Sequence, residues 1–215
     1  MKIRAQALLF DNDGTLVSSL DSVDRCWAGW AEEYGITEEF GRVELHGRPA
    51  VEIVAELLPA DVVPQALARI ETLEVEDVPN GGVHLLPGTK ELLGSLPADR
   101  WAVVTSATRR LAEARLDAVG ILPKTMVTAD DIRRGKPDPE PYLLAARELG
   151  VDPARCVVFE DAPAGLAAGR AAGMTTVALT TTHQAHELDA DLVVPDLSAL
   201  SALVRGGGVE ISVRV

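Results

Sequence analysis

Short, uninterrupted apolar runs alternate with stretches of helical periodicity along most of this chain. Ala5–Phe10 (AQALLF), Trp101–Thr105 (WAVVT), Cys156–Phe159 (CVVF), Thr175–Leu179 (TTVAL) and Leu192–Val194 lack the polar alternation of a half-exposed strand. Runs of this kind belong to a parallel sheet covered by helices on both faces. Thr108–Val119, Pro139–Leu149 and Pro163–Ala172 carry the helical period, and Gly120, Gly150 and Gly173 follow them, where a left-handed cap ends a helix. The predicted fold class is α/β, a Rossmann-like doubly wound parallel sheet. One stretch breaks the rhythm. Between Val17 and His84 the pattern is helical only, with Asp21–Tyr34, Arg48–Leu58 and Pro64–Glu74 as the expected helices. It leaves through Pro79-Asn80-Gly81-Gly82 and Pro87-Gly88, the composition of a hinge. The expected organisation is therefore an α/β core of residues 1–16 and 85–215 with a helical cap, 17–84, inserted. After Gly206-Gly207-Gly208, Val209–Val215 alternates as a short edge strand would.

Composition narrows the class. With 215 residues and 47% hydrophobic positions the chain buries a substantial core and is not disordered. Its net charge of −13 argues against nucleic acid, whose phosphates call for a basic stripe, and against an anionic membrane surface. No run approaches the roughly 18 apolar residues of a membrane helix, and Met1–Phe10 is too short an apolar stretch for a signal peptide. Cys26 and Cys156 are too few for a disulfide framework and read as reduced, packed thiols. A cytoplasmic monomer is the expectation.

Ligands of open α/β sheets bind beyond the carboxyl ends of the strands, so the residues after each strand carry the chemistry. Asp11-Asn12-Asp13-Gly14-Thr15-Leu16 follows the first run, and Gly14 permits a turn that brings two carboxylates over one site. Ser106, Ala107 and Thr108 follow the second, where hydroxyls and free amides at a helix start cradle an anion. Thr108 itself suits the N-cap of that helix. Arg134-Gly135-Lys136-Pro137-Asp138-Pro139 holds a cation in a constrained loop, and Glu160-Asp161 closes CVVF. Four carboxylates on one sheet edge repel one another unless a hard divalent cation joins them, and an all-oxygen ligand set suits Mg²⁺. Lys136 and the neighbouring hydroxyls complete a site for a phosphoryl group that an aspartate can attack.

These segments together resemble the haloacid dehalogenase superfamily of phosphohydrolases, whose four motifs appear in order. They are DxDGTL at Asp11–Leu16, Thr105-Ser106 at a strand end, Lys136 in GKPDPEPY, and Glu160-Asp161 in FEDAPAG. The insert after the first motif is similar to that superfamily's C1 cap, and VVTSATRR, GKPDPEPYLL and VVFEDAPAGLAAGRAAG look most like glycerol-phosphate and 2-deoxyglucose-6-phosphate phosphatases. The resemblance implies that Asp11 is the nucleophile and a Mg²⁺ ligand. It makes Asp13 the acid and base, its backbone carbonyl on the metal. Thr105 or Ser106 would bond the phosphoryl group, Lys136 would neutralise it and orient Asp11, and Glu160 and Asp161 would complete the metal site. The implied activity is Mg-dependent hydrolysis of small sugar or polyol monophosphates through an aspartyl-phosphate. A β-phosphoglucomutase-like phosphotransferase is the rival on this scaffold, although Ser18–Asp24 lacks the histidine such mutases keep shortly after the first motif. A non-catalytic, receiver-like phospho-switch is the alternative of another class.

Specificity is expected in the cap. Arg48, in Leu45-His46-Gly47-Arg48-Pro49, reads as a substrate contact or a surface arginine, and Ser18 and Ser19 as ligands of substrate hydroxyls or as turn residues. Trp27 and Trp30, three apart, suit packing better than substrate stacking. His183 and His186 read as loop residues, since the acidic clusters already account for a metal. The cap carries 14 acids and four arginines, a net of −10, and the rest of the chain −3. Such a cap is expected to disfavour substrates with a second strong negative group, leaving a small, hydroxyl-rich phosphorylated metabolite as the partner.

Overall fold

A computed structural model describes residues 2–43, 45 and 50–214. The chain opens with β1 (Lys2–Ala5) and β2 (Ala7–Phe10), then β3 (Val17–Ser18). Four helices follow: α1 (Leu20–Tyr34), α2 (Thr37–Phe40), α3 (Ala50–Leu57) and α4 (Val63–Asp77). The chain returns through β4 (His84–Leu85) and continues as α5 (Thr89–Gly94), β5 (Trp101–Val104), α6 (Arg109–Ala118), β6 (Met126–Val127) and α7 (Glu140–Leu149). It ends with β7 (Cys156–Glu160), α8 (Pro163–Ala171), β8 (Thr175–Leu179), β9 (Leu192–Val194), β10 (Leu200–Arg205) and β11 (Gly208–Val213).

Six strands form a parallel sheet in the order β6-β5-β2-β7-β8-β9. Its central strands are buried on both faces. Leu8, Phe10, Val103, Val157 and Phe159 pack on one side with Leu92, Leu93 and Leu116. Ala7, Leu9, Ala102, Val104 and Val158 pack on the other with Tyr142, Ala145 and Ala168. Alternate residues thus meet different helices, which is why these runs show no polar alternation. β2 lies between β5 and β7, so the loops that follow these three strands open side by side.

Three sequence expectations are corrected. Ala5–Phe10 is not one strand: the chain breaks at Gln6, and β1 joins a separate antiparallel sheet ordered β1-β11-β10. The C-terminal strand is not an edge but the centre of that sheet, pairing with β1 through Lys2↔Ser212 to Ala5↔Val209 and with β10 on its other side. Gly206-Gly207 is the reason, a two-residue hairpin turn with φ of +58° and +78° that only glycine adopts freely. The insert is also not purely helical, because β3 and β4 pair as Val17↔Leu85 and Ser18↔His84 where the chain enters and leaves it. Two-residue strands carry too little pattern to be read from sequence, and the same holds for β6.

The insert has its own core. Trp27, Trp30, Ala31, Ile53, Val54, Ala66 and Ile70 pack together, Trp30 Nε1 donates to the Ala66 carbonyl at 3.0 Å, and Trp27 stacks on Phe40 with ring centroids 6.0 Å apart. Trp30 lies wholly within this core, whereas Trp27 packs in it and also borders the cavity described below. Cys26 and Cys156 are free and buried, and burial pushes each thiol up to about 11. No described helix is long and apolar enough to cross a membrane.

Val209 and Ile211 are buried against Ala5 and Leu200, so the C-terminal strand belongs to the packed structure rather than to a tail. Ile211→Ala is expected to lower the urea-unfolding free energy by about 2–5 kcal/mol; a loss below about 0.5 kcal/mol, as for a surface tail, would contradict this placement.

Candidate active site

The first motif turns sharply at the end of β2. The Asn12 carbonyl accepts the amides of Leu16 at 2.8 Å and Val17 at 3.0 Å, and the chain reverses at Gly14, whose φ is +83°. The turn sets Asp11 and Asp13 on one cavity of about 260 Å³, which Thr105, Ser106, Lys136, Glu160 and Asp161 also line. All seven core residues expected from the sequence are thus brought together.

Lys136 is the organising cation. Its ammonium donates to Asp11 Oδ1 at 2.6 Å, to Glu160 Oε1 at 2.6 Å and to the Val104 carbonyl at 2.9 Å, which uses all three protons. It also lies 5.3 Å above the Tyr142 ring, whose hydroxyl donates to Glu160 Oε1 at 2.6 Å. Burial works against the charge on Lys136, but the Asp11 and Glu160 carboxylates outweigh it and hold the ammonium protonated well above the ordinary range.

Asp11, Glu160 and Asp161 each place a carboxylate oxygen within 4.8 Å of the others, and all three residues are buried. Burial pushes Asp11 well above the usual carboxylate range; Lys136 pulls it down, and the Glu160 and Asp161 charges add to the rise. Burial and the Glu160 charge push Asp161 up to about 7. Three buried carboxylates facing one ammonium are a donor set short of positive charge, and hard oxygen ligands fit a divalent cation such as Mg²⁺. Two glycines make room for the cluster. A Cβ on Gly14 would lie 2.2 Å from Asp161 Oδ2, and one on Gly165 would lie 1.8 Å from Glu160 Oε1. Thr15 donates to Asp161 Oδ1 at 3.3 Å, and Thr182 donates to Oδ2. His183 and His186 lie outside this group, in the loop that carries Thr182.

Thr105 and Ser106 differ in their surroundings. Thr105 is buried at the end of β5 and its hydroxyl oxygen accepts the Ala107 amide at 3.1 Å, so its proton is free to donate; Ser106 is exposed. Thr108 caps α6, accepting the Leu111 amide at 3.4 Å. Ser19 does not wait for a substrate hydroxyl: its Oγ donates to Asp13 Oδ1 at 2.7 Å. Arg48 lies outside the described residues.

Arg115 is a residue of the cavity that sequence reasoning missed. It sits on α6 at 4% exposure and lines the same cavity. Its NH1 lies 3.0 Å from Asp13 Oδ1 and its NH2 donates to Glu74 Oε1 at 3.1 Å. Burial raises the Glu74 pKa and Arg115 pulls it back only in part. The available signal was helical phase, since Arg115 falls on the inner face of α6 with Leu111, Ala112 and Leu116. Tyr142 and Thr182, both polar partners of the acidic cluster, were also missed.

The insert lines the cavity mainly with the apolar Leu20, Val23, Trp27, Leu45, Ala50 and Ile53, and the core adds Ala107, Leu111, Ala162 and Ala164. Glu74 is the one insert carboxylate lining it among the described residues, and Arg115 is paired with it. Apart from Glu74, the insert's acids among the described residues lie away from the cavity.

A family model described as haloacid dehalogenase-like hydrolase matches residues 5–173. Hexitol phosphatase A of Escherichia coli (strain K12) is 36% identical over 211 residues, covering 96% of this chain and 98% of that protein. Glycerol-1-phosphate phosphohydrolase 2 of Saccharomyces cerevisiae is 34% identical over 195 residues, covering 85% and 77%. CbbY from Rhodobacter sphaeroides, solved in complex with phosphate, superposes with a TM-score of 0.76 at 25% identity and covers 90% of this chain and 95% of its own. A family match across most of the chain, with its motifs gathered at the carboxyl edge of β5, β2 and β7, makes this protein a member of the haloacid dehalogenase-like hydrolases.

Proposed function

We propose that this chain hydrolyses small sugar or polyol monophosphates through a phosphoryl group carried on Asp11. The observation that carries this reading is the juxtaposition of Asp11, pinned by Lys136, with Asp13 two residues on, both at the mouth of a cavity walled by the insert. The activities named for the relatives, on hexitol, glycerol and 2-deoxyglucose phosphates, support the substrate class. Residues 1–16 and 85–215 serve as the catalytic core in this reading, and 17–84 as the cap.

Asp11 attacks phosphorus; an Asp11 oxygen–phosphorus bond forms as the bond to the substrate oxygen breaks. Asp13 gives its proton to that oxygen, so an alcohol leaves rather than an alkoxide. Water then attacks phosphorus, Asp13 takes a proton from it, and inorganic phosphate departs with the Asp11 carboxylate restored. Thr105, with its free hydroxyl proton, bonds the phosphoryl oxygens, and Ser106 lines the approach. Lys136 fixes the Asp11 carboxylate and offsets charge on the phosphoryl group. Asp11, Glu160, Asp161 and the Asp13 carbonyl would hold Mg²⁺, which when bound supplies positive charge to the transferring group. The apolar wall excludes water from the leaving group, and with both cavity cations paired to carboxylates, the described residues offer no free charge for a second phosphate.

Asp11→Asn should abolish phosphate release from every substrate, a loss of at least about 10³-fold. Retained turnover, or isomerisation of glucose 1-phosphate without phosphate release, would contradict the reading. A hexitol monophosphate should exceed a hexose bisphosphate in kcat/KM by more than about tenfold, the scale of one unmatched charge. Equal values would contradict the account of the wall.

Metal binding is read separately, by thermal melting. Mg²⁺ at about 100 times its Kd should stabilise the chelator-treated protein by about 2.7 kcal/mol. Asp161→Asn should melt higher than wild type without metal, because a buried charge is gone, and lose most of the Mg²⁺ shift. An undiminished shift in this variant would contradict the ligand assignment.

A further inference from the structure

Asp13 Oδ1 is held from two directions, by Ser19 Oγ at 2.7 Å and by Arg115 NH1 at 3.0 Å, while Asn12 Nδ2 donates to Oδ2 at 3.2 Å. Arg115 reaches Asp13 from α6 in the core, and its other terminal nitrogen bonds Glu74, which α4 of the insert carries. Glu71, one turn earlier on α4, accepts a hydrogen bond at 2.9 Å from Thr108, the N-cap of α6. Two polar contacts therefore seat the insert on α6, and one of them continues through a buried guanidinium to Asp13.

We propose that Arg115, held by Glu74, is a positioning residue that aligns the Asp13 carboxyl for proton transfer and ties that alignment to seating of the insert. A guanidinium is suited to this because its planar fork fixes the angle between the two carboxylates it joins. The three charges also depend on one another: without Arg115, the half-buried Asp13 and the buried Glu74 would be neighbouring like charges with no counterion between them. When α4 lifts from α6, Glu74 departs with it, and the guanidinium loses the partner that fixes its orientation. The acid–base group is then aligned only over an enclosed substrate. The inference rests on the proposed acid–base role of Asp13.

The test compares two leaving groups under single turnover with Mg²⁺ and the full chain. A hexitol monophosphate needs a proton on its departing oxygen; 4-nitrophenyl phosphate, which releases a stable phenolate, does not. Arg115→Met should slow alcohol release by about 10- to 100-fold, the cost of a misplaced acid, while the burst of 4-nitrophenolate falls by no more than about threefold. Arg115→Lys should recover part of the loss. The double variant Arg115→Met with Glu74→Leu removes both charges, keeps the packing apolar and should show the same split. Equal losses on both substrates in the double variant, or no loss on the hexitol phosphate, would overturn the proposal. Asp13→Asn separates the two levels of the argument. If it slows both substrates alike, the acid–base reading of Asp13 fails; if it splits them and the Arg115 variants do not, only the positioning role is overturned.

Discussion

The Lys136 ammonium sits 2.6 Å from a carboxylate oxygen of Asp11 and 2.6 Å from one of Glu160, and much of the site depends on that contact. Strands β2 and β7 are neighbours, so the residues at their carboxyl ends are forced together whatever their charge. Three buried carboxylates at such an edge would raise one another's pKa values and take up protons, leaving no ionised nucleophile. One buried cation offsets part of this and fixes Asp11 by a charge-assisted bond, while the Val104 carbonyl takes its third proton. The residual negative charge is what makes the group suited to a divalent metal, and the close approach of Gly14 and Gly165 keeps it compact.

A second buried cation organises the other half of the cavity. Arg115 joins the first motif to the insert through Asp13 and Glu74, so the two cavity cations divide the acids between them. In the proposed reading Lys136 serves the phosphoryl end and Arg115 the end where the leaving group emerges. Beyond them the wall is apolar, although the insert as a whole carries a net of −10. Among the described residues, most of this segment's acids lie on its solvated surface, where charge favours solubility. In the proposed reading, discrimination against a second anionic group would follow instead from the apolar part of the wall and from cations already matched to carboxylates.

Much of this was legible in the sequence, for a reason that also marks its limits. A parallel sheet buried on both faces writes itself as apolar runs, and the residues that follow the strands stand out against them, which singled out Asp11, Asp13, Ser106, Glu160 and Asp161; Lys136 stood out through its Gly–Pro loop, and Thr105 only through the family resemblance. Arg115 and Glu74 were not, because each looks like an ordinary charged position in an amphipathic helix, and burial between two helices far apart in sequence is a property of the tertiary fold. The Gly206-Gly207 turn was visible as composition, but pairing of β11 with β1, across nearly the whole chain, was not. Ser19 was singled out as a polar residue near the motif, but its bond to Asp13 could not be read from sequence.

The central claim is that the phosphoryl group passes through Asp11 before it reaches water. Two successive displacements at phosphorus restore its configuration, whereas direct attack by water inverts it. The decisive measurement is the stereochemical outcome of hydrolysis of a substrate whose phosphorus is made chiral with oxygen isotopes. Net retention is the result this account predicts. Net inversion would show that water attacks the substrate directly, and Asp11 would no longer be the nucleophile.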